Sequence, residues 1–158
     1  RANSTTLYLT VDVASGISIS LSNTLASGIN WTVISVPVSN QSAGGNNGTG
    51  VTEYDVAISS VSINVDVYIR ASGNLNTSGG NTLGLGNETF SYNTTNNTVP
   101  STTKYQLTTN YSDNKIGNNL PDNSTIYLKF FLSAPAGQPP GTYTNNVSVK
   151  AIPVGQTP

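Results

Sequence analysis

Residue types that carry most enzyme chemistry are scarce in this chain. It has no His and no Cys, and only seven Asp and Glu among 158 residues. A nucleophilic Ser needs a neighbouring base, and no Ser–Lys pair stands out. Glu53 and Asp55 share one side of a predicted strand, but two carboxylates without a ligand loop are a weak calcium signal. We therefore expect no catalytic residues, no metal site and no enzyme activity.

Asparagine is the residue whose spacing points to a definite chemistry, N-glycan attachment. Asn-x-Ser/Thr triplets occur about twice as often as composition alone gives, although an Asn/Thr-rich surface forming them by accident remains an alternative. Glycosylated sites must be exposed on an exported chain. Covalent N-glycans are the only non-protein groups that we expect, and no cofactor. The candidate acceptors are Asn3, Asn30, Asn40, Asn47, Asn76, Asn87, Asn93, Asn96, Asn110, Asn123 and Asn146.

Charge is unusually rare, and neutral polar residues take its place. Six basic residues against seven acidic ones leave no nucleic-acid footprint. No apolar run approaches the ~18 residues of a membrane-spanning helix. Because few carboxylates can take up protons, we expect stability to depend weakly on pH between 2 and 7. The chain begins at Arg1, which indicates either a mature product whose export signal has been removed or a trimmed chain. We expect the protein to be extracellular and not inserted in a membrane.

Apolar residues recur with the period of two that is typical of β-strands. In "TTLYLTVDV", residues 5–13, the apolar residues Leu7, Leu9, Val11 and Val13 share one side. Further strands are predicted at 17–21, across 29–39, across 51–70 as two strands or one bulged strand, at 89–92 and at 104–109. Residues 40–50 and most of 71–101 read as loops. Two long strands near 124–135 and 142–152 are predicted to form an antiparallel hairpin. This pattern predicts an all-β antiparallel sandwich.

The opening strand can complete either its own sheet or that of a second molecule. The odd-numbered apolar phase continues from Leu7 to Leu21 through Gly16, as an extended arm would show. A strand at the start of the chain can leave without unthreading the fold. Donating a strand in this way makes a heterologous interface that does not close, so it builds a filament. We therefore divide the chain into a donor strand, residues 1–14, and a β-sandwich head, residues 15–158.

The alternating first strand, the dense sequons, the scarce charge and the closing "PPGTYTNNVSVKAI" resemble the glycosylated thread filament subunit of thermoacidophilic archaea. More broadly, the chain resembles donor-strand-complemented surface filaments and pili. The resemblance implies that Thr5–Val13 is donated, with Leu7, Leu9, Val11 and Val13 as its buried contacts. It also implies an immunoglobulin-like head, a homopolymer on the cell surface, and a role in adhesion or biofilm cohesion towards other cells or surfaces.

Two other functions remain open from the sequence. In the first, the chain is a glycosylated surface-layer or stalk domain that keeps its first strand within its own fold. In the second, it is a carbohydrate-binding adhesin module that uses some of its eight tyrosines as a sugar platform. The scatter of these tyrosines along the strands favours packing instead.

Overall fold

The computed structural model describes residues 3–13, 16–47, 51–99 and 102–158, with side chains of the first strand described only at Thr10 and Val11. Nearly all regular structure in these ranges is β-strand, as the period-two pattern predicts. The strands are β1 (Asn3–Val13), β2 (Ile17–Leu21), β3 (Ile29–Val33), β4 (Val38–Ser42), β5 (Tyr54–Ser60), β6 (Val65–Ala71), β7 (Leu75–Asn76), β8 (Thr82–Leu83), β9 (Glu88–Asn93), β10 (Tyr105–Gln106), β11 (Lys115–Leu120), β12 (Thr125–Ala134) and β13 (Thr142–Pro153).

These strands form two sheets. Sheet I has the order β11–β6–β13–β1–β3, with β7 beside β13 and β8 beside β7. Sheet II has the order β10–β9–β12–β5–β2, and β4 also pairs with β12. The predicted all-β class with two sheets is confirmed. One pair, β1 with β13, runs parallel and departs from the antiparallel pairing that we expected throughout.

A single apolar core contains residues of both sheets. The last strand shows why the sequence forms it, because successive residues of a strand point to opposite faces. Val147, Val149 and Ala151 are fully buried, whereas Asn146 before them is exposed and Ser148 and Lys150 between them are half-buried. This alternation was predicted for β13. On β12 the predicted inward face is buried as well, at Ile126, Leu128, Phe130 and Leu132.

The predicted hairpin of the last two long strands is wrong. β12 belongs to sheet II, where it pairs with β9, β5 and β4, whereas β13 belongs to sheet I. Residues 135–141 therefore carry the chain from one sheet to the other. Alternating apolar residues identify the buried face of a strand but not its hydrogen-bonded neighbour. Two strands that face each other across a core have the same pattern as two strands that pair.

Residues 51–70 form two strands in different sheets, β5 and β6. The alternation predicts that Val61 and Ile63 point inward with the rest of β6. Instead they lie in the connection between the sheets, with 74% and 38% of their surface exposed. Ser62 between them has a φ of 59°, so the backbone is not extended there. The predicted irregularity in 29–39 is likewise a break between β3 and β4, which contains the cis Val36–Pro37 bond.

Two close contacts in the fold require glycine. A Cβ at Gly45 would lie 2.6 Å from Cζ of Tyr54, whose hydroxyl accepts a 2.9 Å hydrogen bond from the Gly45 N–H. A Cβ at Gly117 would lie 2.6 Å from Cδ1 of Leu120 within β11. The register of β11 against β6 shifts on both sides of Gly117. These irregularities explain why the sequence pattern did not predict β11.

Helices are short. The α-helix α1 (Asn23–Ala26) begins after Ser22, whose Oγ accepts a 3.4 Å hydrogen bond from the Leu25 N–H. Single 3₁₀ turns follow at Leu85–Asn87 and Tyr111–Asp113. In the part of the chain that the structure describes, no helix has the length and apolar character needed to cross a bilayer.

Candidate functional site

The first strand lies inside sheet I with a paired neighbour on each side. Residues 4–13 of β1 pair in parallel with residues 142–151 of β13. Residues 3–7 pair antiparallel with residues 29–33 of β3. Without β1, strands β13 and β3 would each present an unpaired edge, which is a template for another strand. We call the position between β13 and β3 the strand slot.

The predicted contact residues of β1 pair with a buried row on β13. Val11, the one whose side chain is described, is 42% exposed in this single chain. The side chains of the other three lie outside the described residues. All four partners are buried, with Asn145 at 7% and the three apolar ones at 0% exposure. The pairs are Leu7 with Asn145, Leu9 with Val147, Val11 with Val149 and Val13 with Ala151.

On the outer side of this ladder, Thr10 and Ser148 are paired in register. Thr10 Oγ1 and Ser148 Oγ are in hydrogen-bond contact. Thr10 is exposed and Ser148 is half-buried, so both side chains are on the surface of sheet I. This pair therefore reports directly whether a β1 strand lies beside β13.

Beneath the strand slot, a carboxyl group is buried between the sheets. Glu88 of β9 is 0% exposed, and its Oε1 accepts a 2.8 Å hydrogen bond from Nδ2 of Asn145. Asn145 Nδ2 also donates to the carbonyl oxygen of Gly73. Glu88 Oε2 and Asn145 Oδ1 are both buried without a hydrogen-bond partner. Protonation of Glu88 would supply the donor that this pair of oxygens lacks.

Burial raises the pKa of Glu88 from its ordinary 4.5 to about 7, and the hydrogen bond from Asn145 offsets only part of that effect. The carboxyl group is therefore neutral in acid. This raised pKa argues against the expected weak dependence of stability on pH. Scarcity of carboxylates does limit the number of titrating groups, but one fully buried carboxyl is enough to couple folding to pH.

The candidate glycan acceptors fall largely on the surface. Asn87 and Asn93 are half-buried, and the side chain of Asn3 is not described. The buried asparagines Asn46, Asn114 and Asn145 all lie outside the triplets. Seven of the ten asparagines outside the triplets are exposed as well, so exposure permits glycosylation of the acceptors but does not distinguish them from other asparagines. Eight acceptors are exposed: Asn30, Asn40, Asn47, Asn76, Asn96, Asn110, Asn123 and Asn146.

One sequon differs from the rest in its surroundings. Asn87 Nδ2, the atom to which a glycan would be attached, donates a 3.1 Å hydrogen bond to the Gly84 carbonyl. The Oγ1 of Thr89, which completes the triplet, is buried. An enzyme that reads the hydroxyl and the amide together cannot reach this sequon in the folded chain.

Two further kinds of site that the sequence raised are a metal site and a tyrosine platform for sugars. Within the described ranges, no cluster of three or more Asp, Glu, His or Cys could hold a metal ion. The aromatic residues that could form a sugar platform are Tyr92 and Tyr105, whose ring centroids are 5.4 Å apart. Tyr105 is 41% exposed, but Tyr92 is only half-exposed and stacks on the buried Phe90. Packing accounts for this cluster.

Neither a protein-family model nor a curated protein matches this chain.

Proposed function

We propose that this protein is the structural subunit of an extracellular, glycosylated filament. Each subunit donates residues 5–13 to the strand slot of the next, and an immunoglobulin-like head of residues 15–158 accepts the strand. The polymer grows head to tail, because every copy both donates and accepts. Its role is adhesion or cohesion of cells in a biofilm. The protein is not an enzyme in this proposal.

The observation that carries the proposal is the position of β1. It has a paired strand on both sides, yet only Ala14 and Ser15 separate it from Gly16 at the start of the other sheet. The strand slot makes the same backbone hydrogen bonds with a β1 strand of any copy of the chain. Exchange between copies therefore keeps every contact of the ladder and gives an open polymer when it is not reciprocal.

The apolar content of β1 is sufficient for a durable joint. Burial of Leu7, Leu9 and Val13 at about 1.5–3 kcal/mol each would contribute roughly 4.5–9 kcal/mol before the costs of association, and Val11, which is 42% exposed beside β13, would add less. The ladder to β13 over ten residues adds backbone hydrogen bonds. A joint of this kind also leaves no unpaired edge at β13 or β3.

The sequons support an extracellular location for the same molecule. Charged residues are only 8% of the chain, so a bare surface would have little charge to keep copies apart. Glycans on the exposed asparagines would supply hydration in its place. The polymer would then be coated by sugar along its length, which suits contact with other cells or surfaces.

The alternative with an observation in its favour is a glycosylated surface-layer or stalk domain. In this single chain, β1 occupies the strand slot of its own fold. A protein that keeps this arrangement would be a monomeric domain or part of a lattice held by other contacts. The two functions differ in one property, namely whether β1 and β13 of one ladder belong to the same molecule.

The test uses the pair Thr10 and Ser148. The chain has no Cys, so the double variant T10C/S148C places a single possible disulfide across the ladder. Facing residues of paired strands are near the ~5.5–6 Å Cα separation that a disulfide needs. We expect oxidised filaments to give a ladder of covalent oligomers on a denaturing gel. A monomer with an internal disulfide would refute strand donation.

The control separates cross-linking from loss of a glycan site. S148C also removes the triplet at Asn146, so S148A serves as the matched variant without a thiol. Neither single variant, T10C or S148C, should give the ladder of oligomers.

A further inference from the structure

Three exposed aliphatic residues lie on two neighbouring segments, the connection between β5 and β6 and the residues after β13. Val61 is 74% exposed, Ile63 38% and Val154 47%. The Val154 N–H donates a 3.2 Å hydrogen bond to the Asn64 carbonyl, which joins the segment after β13 to the connection between β5 and β6. We call Val61, Ile63 and Val154 the base patch. Half of the six large hydrophobic residues that are exposed in the described ranges are in it.

The base patch adjoins the point where the chain leaves β1. The Val61 N–H donates a 3.2 Å hydrogen bond to the carbonyl oxygen of Gly16. Gly16 is three residues after Val13, the last residue of β1. Three successive Cα–Cα steps span at most about 11 Å. If Val13 lies in the strand slot of another copy, the surface of that copy must therefore lie within about 11 Å of Gly16 and beside Val61.

The register identifies which part of the accepting copy is close. Val13 pairs with Ala151 in a parallel ladder, so the two chains run onward in the same direction. Three residues beyond Ala151 is Val154, just as three residues beyond Val13 is Gly16. The base of the donor, which carries Val61 next to Gly16, therefore lies against the segment of the acceptor that carries Val154.

We propose that the base patch is the second contact of the filament joint, where Val61 and Ile63 of the donating subunit pack on Val154 of the accepting subunit. This inference rests on the proposed strand donation. It identifies the surface of the partner subunit that the donor contacts. It also explains why Val61 and Ile63, which continue the apolar alternation of β6, are exposed in a single chain. The contact would fix the orientation of successive subunits relative to one another.

The experiment uses two singly substituted full-length proteins, V61C and V154C, with different affinity tags. They are mixed before assembly, and the filaments are oxidised. We expect disulfide-linked heterodimers that carry both tags. The matched control is I34C, because Ile34 is 73% exposed but follows β3 at the opposite end of the β1 ladder. Mixed filaments of I34C and V154C should give no heterodimer.

A second variant measures what the contact contributes. Val61 is largely exposed in the single chain, so V61D should change the unfolding midpoint little. Burial of a valine at the joint is worth about 1.5 kcal/mol, and a carboxylate there adds a desolvation cost, so V61D should raise the critical concentration for filament formation at least about tenfold. I34D should leave it unchanged.

The T10C/S148C gel separates the two levels of failure. If that variant gives intermolecular ladders but V61C and V154C do not cross-link, the base-patch contact is wrong and strand donation stands. Cross-linking of I34C to V154C would overturn the base-patch contact in the same way. If T10C/S148C gives only internal disulfides, strand donation and the base-patch contact both fall.

Discussion

Replacement of Glu88 by Gln is the sharpest single perturbation that the structure offers. The pKa of Glu88 is raised to about 7 in the folded chain, mainly by burial, against an ordinary 4.5. An acid whose pKa is raised on folding stabilises the fold fully below the unfolded pKa, and this stabilisation is lost as pH rises through the folded pKa. The free energy of unfolding should therefore fall between pH 4.5 and 7.

The size of the loss follows from the shift. A difference of about 2.5 pKa units at ~1.4 kcal/mol per unit gives about 3 kcal/mol in total. For a chain of this length, that corresponds to roughly 6–12 °C in melting temperature. E88Q keeps a neutral group in the same place, and its amide can both accept from Asn145 Nδ2 and donate to Asn145 Oδ1. The variant should match the wild type at pH 4.5 and exceed it by about 3 kcal/mol at pH 8.

The assay is urea unfolding of wild type and E88Q at several pH values from 4.5 to 8. E53Q is the matched control, since Glu53 is the only other glutamate and is half-exposed at the surface. The window starts at pH 4.5 because the pKa of Asp66 is lowered: burial raises it, but hydrogen bonds from the Asn119 N–H and Lys115 outweigh burial. Protonation of Asp66 therefore lowers the free energy of unfolding only at pH values below this window. Parallel pH profiles for wild type and E88Q would refute a neutral, buried Glu88.

Three further predictions concern the strand, the core and the glycans. L9D should abolish filament assembly because it puts an unpaired carboxylate beside a fully buried row of β13, whereas T10D on the exposed side should assemble; electron microscopy of both variants distinguishes them. G45A should lose about 1–3 kcal/mol in urea unfolding, since its methyl group would lie 2.6 Å from a tyrosine ring, but G44A should not, because its nearest atom is 3.7 Å away. Glycopeptide mass spectrometry should find Asn87 the least occupied of the described acceptors, and high occupancy there would mean that the glycan is added before folding.

Sequence periodicity predicted which face of a strand is buried better than it predicted which strands pair with each other. Val147 and Val149 are inward and Asn146 is outward, because a period of two directly records which side of a strand is buried. The same pattern suggested a hairpin of the last two strands, which are in fact in different sheets. It also placed Val61 in the core, because a local pattern contains no information on where a strand ends and the chain crosses between sheets.

The buried carboxyl group could not be predicted from the sequence. Glu88 lies in a Gly- and Asn-rich stretch, and a glutamate is normally exposed. Its partner Asn145 is 57 residues away and belongs to the other sheet. Strand β11 was not predicted for a different reason. Its register against β6 shifts around Gly117, so its apolar residues do not alternate regularly. The expected exposure of the triplets holds for eight of the acceptors, whereas Asn87 and Asn93 are half-buried.

The central claim is that β1 completes the sheet of another copy. Electron microscopy of the native, glycosylated filament, at a resolution that traces residues 3–17, tests it most directly. We expect continuous density from Val13 to Ile17 that leaves the sheet of one subunit and enters the head of the next. Density that returns from Val13 to β2 of the same head would contradict the claim. The protein would then be a surface-layer or stalk domain whose first strand pairs within its own fold.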